Sequence, residues 1–229
     1  MTTRPKDQQP PAQQQVRSRQ RVADHGEVFT GEREVKAMLD LVKQETERID
    51  SRFLEPACGT GNFLAEILSR KLDVVEARYR RSRADYERYA VLAVSSIYGI
   101  DILADNVAEC RRRLFALFDE RYTARYKLKA RDECREAVRY ILGRNIIHGD
   151  ALTLKEIGDD PQPIVFSEWS PVGGSMLKRR DFTFRELLAR AEQKELTLFA
   201  GHDREAFIPV PVKEYPLIHF LRVGEANNE

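Results

Sequence analysis

The chain has 229 residues, which is enough for one domain with a substantial hydrophobic core. Its formal net charge of +1 neither requires nor excludes a nucleic-acid partner, so any such contact must come from a local patch. Three cysteines are too few and too widely spaced for a disulfide framework or a four-ligand zinc site. No apolar run is long enough to span a membrane or to act as a secretory signal, so we expect a soluble cytoplasmic protein. We also expect no metal site.

Composition divides the chain into three parts. Residues 1–24 are rich in Gln, Pro and Arg and contain almost nothing to bury, which favours a disordered tail. Residues 25–158 carry the periodic apolar patterns of a folded domain. A Pro-containing break then begins a C-terminal extension, residues 159–229, whose patterns include a β-hairpin.

In chain order, the folded part alternates between helical and strand patterns. Apolar residues recur at helical spacing over residues 32–49, 62–72, 76–93, 104–122 and 134–142. Short apolar runs predict strands at residues 51–57, 96–102 and 145–148. Strands that alternate with helices in this way are joined by right-handed crossovers, so the pattern predicts an α/β fold with an open parallel sheet.

The C-terminal extension is predicted to be built differently. Two strand patterns flank a pair of glycines, which indicates an antiparallel hairpin at residues 164–169 and 176–182. A helix is expected over residues 184–193, and further strands are expected over residues 196–199 and 217–223.

A glycine loop follows the first predicted strand, with the sequence EPACGTGNF at residues 55–63. Gly59 and Gly61 permit a tight turn and a close approach of the backbone to a ligand, and the helix that follows presents free N–H groups. Dinucleotide-binding loops use the same device, but they have a third small residue where this chain has Leu64, and an acidic residue about 20 residues later. Here the next acidic residue at a strand end is Asp101, which disfavours a dinucleotide.

The acidic residue before the glycines, Glu55, suits a cationic ligand such as a sulfonium better than a pyrophosphate. The loop resembles the cofactor motif of adenine-specific DNA methyltransferases of restriction–modification systems. Three further segments resemble motifs of this family in the same order, namely HGEVFT at residues 25–30, YGIDI at residues 98–102 and NIIHGDAL at residues 145–152. The similarity covers residues 25–155.

The resemblance implies a Rossmann-like fold that binds S-adenosylmethionine, here with a truncated parallel sheet followed by an antiparallel hairpin. In the family, the N-terminal segment folds over the methionine part of the cofactor, and the acids of the second and third motifs lie near its ribose and its adenine amino group. Asp101 and Asp150 occupy those positions, and their carboxylates are suitable acceptors for hydroxyl and amino donors. The cofactor-binding residues that the resemblance implies are Phe29, Thr30, Glu55, Ala57, Cys58, Gly59, Gly61, Asn62, Asp101, Ile102, Asp150 and Ala151.

Two residues of this set have alternative roles. Phe29 can stack on the cofactor or pack against the protein, and the sequence does not separate these roles. Cys58 is expected to fill space in the loop rather than to act as a nucleophile, because no residue beside it in sequence would activate it.

The family's acceptor motif is missing from this sequence. In the family, Asp or Asn followed by Pro-Pro and an aromatic residue binds the adenine amine and stacks on the flipped base. Residues 164–171, where this motif is expected, are IVFSEWSP. The catalytic residues are therefore unknown, and Glu168 and Trp169 are the candidates for a substitute acceptor site. Alternation along a strand places these two on opposite faces, which favours a packed Trp and a solvated Glu instead.

Three functional hypotheses remain open. The first is an adenine-specific DNA methyltransferase or a subunit of one, for which a partner protein provides the acceptor site and reads the DNA. The second is a non-catalytic cofactor-binding module that regulates or scaffolds a DNA-modification or phage-defence system. The third is a methyltransferase that acts on something other than DNA. The candidates for DNA contact are Lys178, Arg179 and Arg180 of the hairpin together with Arg185 of the helix that follows, and these cations otherwise form a solvated face.

Overall fold

In the computed structural model, which describes residues 20–21, 23, 28, 30–189, 191 and 209–227, the fold is built around a parallel sheet. Its parallel strands are β1 (Phe53–Glu55), β2 (Ile97–Asp101) and β3 (Ile146–Asp150), in the spatial order β1-β2-β3. A two-residue strand, β4 (Lys155–Glu156), extends the sheet antiparallel to β3. The predicted α/β architecture with a parallel sheet is confirmed, whereas β4 has no counterpart among the predicted strands.

The helices between the parallel strands cover one face of this sheet, and the two helices before β1 pack against the first of these helices. Their bounds are α1 (Glu32–Asp40), α2 (Lys43–Thr46), α3 (Asn62–Tyr79), α4 (Arg83–Ser95), α5 (Ala104–Tyr126) and α6 (Asp132–Asn145). Ile97 and Ile146 are fully buried with these helices in the main hydrophobic core. Within the described part of the chain, no helix combines the length and the apolar character that crossing a membrane requires.

The predicted helix over residues 76–93 is wrong, because the chain turns at residues 80–82. Ser82 has extended backbone angles, and its Oγ accepts a hydrogen bond from the N–H of Asp85. This is the N-cap contact that starts a helix, so α3 ends at Tyr79 and α4 begins at Arg83. The turn brings a cluster of arginines to one end of the molecule.

The second face of the parallel sheet is covered by the C-terminal extension. The predicted hairpin is confirmed as β5 (Val165–Pro171) and β6 (Met176–Thr183), which pair antiparallel, and residues 184–189 are helical. Phe166 and Phe184 pack with Tyr98 of β2 in a second apolar cluster, and the Tyr98 hydroxyl donates to the Ser167 carbonyl at 3.0 Å. Because parallel sheets are normally buried on both faces, the hairpin takes the place of a second helical layer.

The end of the chain differs from its prediction. Only Ile218–His219, here β8, is a strand within the segment 217–223, and it pairs with β6, as does β7 (Lys213–Glu214). Phe220–Asn227 is a 3₁₀ helix, as is Lys127–Lys129. Phe220 and Val223 are buried three residues apart, a spacing that brings side chains to the same side of a 3₁₀ helix but to opposite faces of a strand.

Some predictions concern residues outside the described part of the chain. The strand expected at 196–199 lies there, as do most of the residues of the expected tail, 1–24. Of that tail, Gln20, Arg21 and Ala23 are described and are helical.

Buried polar side chains tie the hairpin to the amino ends of the parallel strands. The Asn145 amide donates to the carbonyls of Ser95 and Ile97 at 3.2 and 3.0 Å, and its oxygen accepts from the Trp169 indole N–H at 3.1 Å. Asn145 is fully buried and Trp169 is 3% exposed. Since a buried polar group without a partner is costly, this set of contacts positions the hairpin against β2 and β3.

A buried ion pair lies within the hairpin itself. Arg179, 1% exposed, donates to the Asp181 carboxylate at 2.7 Å and stacks on the Tyr215 ring at 4.0 Å. Asp181 also accepts from the hydroxyls of Ser167 and Tyr215, at 2.7 and 3.0 Å. Burial alone would raise the pKa of Asp181, but hydrogen bonds from Arg179 and Ser167 and the positive charge of Arg179 hold it below its ordinary value.

Candidate functional site

A cavity of about 530 Å³ opens at the carboxyl ends of β1, β2 and β3. Ligand sites of open α/β sheets lie at these strand ends, and the volume is within the range of roughly 300–1,000 Å³ that small-molecule sites occupy. The residues that line it are Val28, Thr30, Glu55, Pro56, Ala57, Cys58, Gly59, Asn62, Phe63, Asp101, Ile102, Leu103, Asn106, Asp150, Ala151 and Leu152.

The structure brings together most of the residues predicted to bind a cofactor. Ten of the twelve line the cavity: Thr30, Glu55, Ala57, Cys58, Gly59, Asn62, Asp101, Ile102, Asp150 and Ala151. Phe29 lies outside the described residues, so its two alternative roles stay open. Gly61 belongs to the loop but lies behind the cavity wall, against α5.

The two loop glycines are required by backbone conformation. Gly59 has a φ of 51° and Gly61 a φ of 85°, in the left-handed region that side chains disfavour. A Cβ on Gly61 would lie 2.6 Å from the Cys110 sulfur of α5, so this position also lacks space for a side chain. The loop can therefore approach α5 closely only with glycine at residue 61.

Cys58 fills space beneath the loop. It is 6% exposed, and its sulfur lies where a Cβ on Gly99 would approach it to 3.0 Å. A side-chain hydrogen bond with Cys110 and burial both raise the pKa of the Cys58 thiol above its ordinary value. The thiol therefore stays protonated, and a protonated thiol is a poor nucleophile.

Asp101 holds the loop as well as facing the cavity. One of its oxygens accepts from the Gly59 N–H at 2.8 Å, and the other accepts from the Leu103 N–H at 2.9 Å and the Asn106 amide at 3.2 Å. An ionised carboxylate has about four acceptor positions, so these three donors leave one for a ligand. The residue predicted to face a ribose thus has a structural role that its sequence position did not reveal.

Arg113 supports the loop from behind and was not identified in the sequence. Its Nη1 donates to the Thr60 carbonyl at 2.7 Å, the Thr60 hydroxyl at 3.0 Å and the Asn62 side-chain oxygen at 2.8 Å. The Asn62 amide in turn donates to the Thr30 carbonyl at 2.9 Å. In sequence Arg113 is one of three consecutive arginines on a helix, and nothing local distinguishes it from Arg112, which pairs with Glu109.

The cavity is negatively charged. Its described lining includes Glu55, Asp101 and Asp150 but no Lys or Arg. Burial raises the pKa of Glu55, although a hydrogen bond from the Ala57 N–H opposes this effect. A hydrogen bond from the Leu152 N–H lowers the pKa of Asp150, so this carboxylate is ionised at neutral pH. The cavity therefore favours cations and hydrogen-bond donors over anions.

Exposed apolar side chains lie beside these carboxylates. Ile102 is 40% exposed, Val28 60% and Leu152 94%, and all three line the cavity. Apolar walls with a few convergent polar groups are typical of sites for small organic molecules. Among the described residues, no group of three or more His, Cys, Asp or Glu side chains is arranged to hold a metal ion.

Glu168 and Trp169 are not brought to the cavity. Trp169 is buried against Asn145, which directly precedes β3, and Glu168 pairs with Arg52, which directly precedes β1, at 2.6 Å. Both side chains therefore lie at the amino ends of the parallel strands, opposite to the cavity. Trp169 is packed, as alternation along the strand favours, whereas Glu168 is engaged in ion pairs rather than solvated.

The basic run of the hairpin is engaged in local contacts. Lys178 pairs with Glu214 at 3.1 Å, Arg180 lies 3.5 Å from Glu168, and Arg179 is buried against Asp181. Cations that are neutralised in this way offer little attraction to phosphate, which weakens the hairpin as a candidate for DNA contact.

Comparisons with known proteins do not identify the site. A search of known protein families found no match, and comparisons with curated proteins and with solved structures found none either. The functional interpretation therefore depends on the geometry and the charge of the cavity.

Proposed function

We propose that the cavity binds S-adenosylmethionine and that the chain is a Rossmann-like subunit of an adenine-specific DNA methyltransferase. The observation that carries the cofactor assignment is the charge of the cavity, with three carboxylates and no cation among its described lining residues. A phosphate or pyrophosphate would be repelled there, whereas a sulfonium is attracted. When bound, S-adenosylmethionine supplies an electrophilic methyl group.

Each carboxylate has a distinct task in this proposal. Glu55, at the end of β1, faces the positively charged part of the cofactor. Asp101 keeps one acceptor position for a ribose hydroxyl, and Asp150, at the end of β3, accepts from the adenine amino group. The exposed side chains of Ile102 and Leu152 provide apolar contact for the adenine ring.

Calorimetric titration of the purified chain with S-adenosylmethionine tests the cofactor assignment. We expect binding by wild type and a loss of affinity of about tenfold in Asp150→Ala, because a hydrogen bond to a charged group contributes roughly 1.5–3 kcal/mol. Asp159→Ala, which removes an exposed carboxylate outside the cavity lining, is the matched control and should bind like wild type. Absence of binding by wild type would refute the assignment, as would tighter binding of NAD.

Two observations support a subunit rather than a complete enzyme. The Asp/Asn-Pro-Pro-aromatic motif is missing, and the side chains proposed to replace it lie opposite to the cavity. Among the described strands, β1 pairs only with β2, and Leu54 is 40% exposed beside its unpaired edge. An unpaired strand edge accepts a strand from another chain, and a partner chain placed there would reach the cavity.

A methyl-transfer assay tests this second part. The chain alone, incubated with DNA and cofactor carrying a labelled methyl group, is expected to label no DNA. Deleting its gene from the source organism is expected to remove N6-methyladenine from at least one genomic sequence context. Transfer by the chain alone would contradict the subunit assignment.

A second candidate function is a non-catalytic module that binds the cofactor and regulates or scaffolds DNA modification. The placement of Glu168 and Trp169 away from the cavity favours it equally. The gene deletion separates the two functions, because loss of a regulator changes the amount of N6-methyladenine at all sites of a system, whereas loss of a catalytic subunit abolishes it.

A further inference from the structure

Two short segments that are far apart in sequence are rich in Arg and Lys. Residues 78–83, with the sequence RYRRSR, and residues 125–131, with the sequence RYKLKAR, together contain eight Arg or Lys residues and no Asp or Glu. In a chain whose formal net charge is +1, this is a strong local excess of positive charge.

The fold joins these segments into one surface, here called the basic surface. The first segment is the turn between α3 and α4, and the second is the end of α5 with the 3₁₀ helix that follows. Arg125 donates to the Arg80 carbonyl at 3.2 Å, and Arg83 donates to the Lys129 carbonyl at 2.7 Å. Arg83 and Arg131 both lie within 3.6 Å of the buried Glu87 carboxylate, which anchors the two segments to the core.

Six cations of the basic surface are exposed and have no carboxylate partner within ion-pair distance among the described residues. They are Arg78, Arg80, Arg81, Arg125, Lys127 and Lys129. Many cations elsewhere on the molecule are paired, for example Lys36 with Glu32 and Arg112 with Glu109. The positive potential of the basic surface is therefore not neutralised locally.

The basic surface lies at the opposite end of the fold from the cavity. Helix α3 is 18 residues long, and it begins at Asn62, which lines the cavity, and ends at Tyr79 within the first basic segment. At 1.5 Å per residue, the two regions are separated by roughly 27 Å along this helix. A ligand on the basic surface is thus distinct from the ligand of the cavity.

We infer that the basic surface binds the phosphate backbone of double-stranded DNA without reading its sequence. Unpaired cations spread over two chain segments match an extended polyanion, and guanidinium groups suit phosphate because they present several donors in one plane. The inference deepens the proposed function by giving it a DNA-contacting face. It can be tested without the methyl donor, so its failure is distinguishable from failure of the cofactor assignment.

An anionic membrane is a poorer fit to the same surface. Leu128 is the one large aliphatic side chain in the two segments, and it is fully exposed. Stable attachment to a membrane interface needs a buried apolar face in addition to charge, and a single leucine does not provide one.

Fluorescence anisotropy with a labelled 30-base-pair duplex of arbitrary sequence tests the inference. The test variant combines Arg78→Gln, Arg80→Gln, Arg81→Gln, Lys127→Gln and Lys129→Gln, none of which removes a side-chain hydrogen bond described above. We expect wild type to bind with an affinity that falls as salt rises, and the variant to bind at least about tenfold more weakly. The slope of log affinity against log salt should become shallower by up to ~4.5, since each phosphate contact contributes about 0.9.

A matched control removes the same charge elsewhere. It combines Lys36→Gln, Lys43→Gln, Arg48→Gln, Arg112→Gln and Arg222→Gln, all exposed residues that are paired with carboxylates. This variant should keep the wild-type salt slope, and both variants should keep the wild-type thermal midpoint and S-adenosylmethionine affinity.

Three outcomes would overturn the inference. One is the absence of DNA binding by wild type at low salt. Another is an equal loss of affinity in the control variant, which would mean that net charge alone is responsible. The third is binding to vesicles containing phosphatidylserine, or to polyglutamate, with higher affinity than to the duplex.

Discussion

The two ends of the parallel sheet differ in how their polar groups are used. At the amino ends, Asn145 uses its amide and its oxygen on neighbouring groups, and Lys71 is fully buried with its Nζ donating to the carbonyls of Arg48 and Ile49. At the carboxyl ends, Asp101 and Asp150 keep acceptor capacity that faces the cavity. Polar groups that are fully hydrogen-bonded within the protein stabilise the fold, whereas groups with acceptor positions left over can bind a ligand. Mutations at the amino ends are therefore expected to lower stability, and mutations at the carboxyl ends are expected to lower ligand affinity.

The largest expected effect is a loss of stability in Asp181→Ala, on the side of the amino ends of the parallel strands. This substitution leaves Arg179 buried without its carboxylate, and breaking a buried ion pair costs about 3–5 kcal/mol of unfolding free energy. Urea denaturation measures this loss, and Asp159→Ala serves as the exposed control. The affinity of the folded variant for S-adenosylmethionine should equal that of wild type, and a reduced affinity would contradict the separation of the two ends.

Gly61→Ala is expected to destabilise the fold at the glycine loop beside the cavity. The alanine must adopt a φ near 85°, and its Cβ would approach the Cys110 sulfur to 2.6 Å. The unfolding free energy should fall by about 2–3 kcal/mol, because a left-handed backbone and a steric clash both add cost. Combining it with Cys110→Ala should restore part of the stability, since this removes the clash but not the strain. No restoration in the double variant would show that the contact with Cys110 is unimportant.

Arg113→Ala should weaken ligand binding more than it weakens the fold. The substitution removes the donor that holds Thr60 and Asn62 from behind, so the glycine loop is less well ordered before a ligand binds. We expect S-adenosylmethionine affinity to fall about tenfold and the unfolding free energy to fall by about 1 kcal/mol. Calorimetry and urea denaturation measure the two quantities, with Arg112→Ala, an exposed neighbour on α5, as control. Equal effects of the two substitutions on affinity would argue against a supporting role for Arg113.

The smallest expected effect is a pH dependence due to Glu55. Burial raises the pKa of Glu55, so as the pH falls this carboxyl takes up a proton at a higher pH than an exposed Glu does. Only the ionised form attracts a sulfonium, so wild-type affinity should fall by a factor of about five between pH 7 and pH 5, the size of a partly exposed ion pair. In Glu55→Gln the affinity should be lower at pH 7 and change less with pH. A steeper dependence in this variant than in wild type would exclude Glu55 as the cause.

Local sequence patterns were sufficient for the parts of the fold that depend on neighbouring residues. The strands at residues 97–101 and 146–150, the glycine loop and the hairpin around Gly173 and Gly174 are signalled by apolar runs and by glycines. The same patterns missed the turn at residues 80–82, because the helical periodicity continues through it. They also missed the 3₁₀ helix at Phe220–Asn227, whose apolar residues resemble a short strand in sequence.

Most of the cavity could be predicted, because a parallel sheet necessarily places the ends of its strands side by side. Ten of the twelve residues predicted to bind a cofactor line the cavity for this reason. The supporting residues could not be predicted, because Arg113 acts on a loop 53 residues away and Asp101 binds the N–H of a residue 42 positions earlier.

The sequence by itself determined the alternation of helices with the three parallel strands, the β5–β6 hairpin and the presence of an acidic residue at the end of β1, since apolar periodicity, glycine and charge are properties of neighbouring residues. Only the tertiary structure decided that the hairpin covers the second face of the sheet, that Glu168 and Trp169 lie away from the cavity, and that residues 78–83 and 125–131 form one basic surface. These features depend on contacts between segments that are distant along the chain, and such contacts are set by the packing of the whole core.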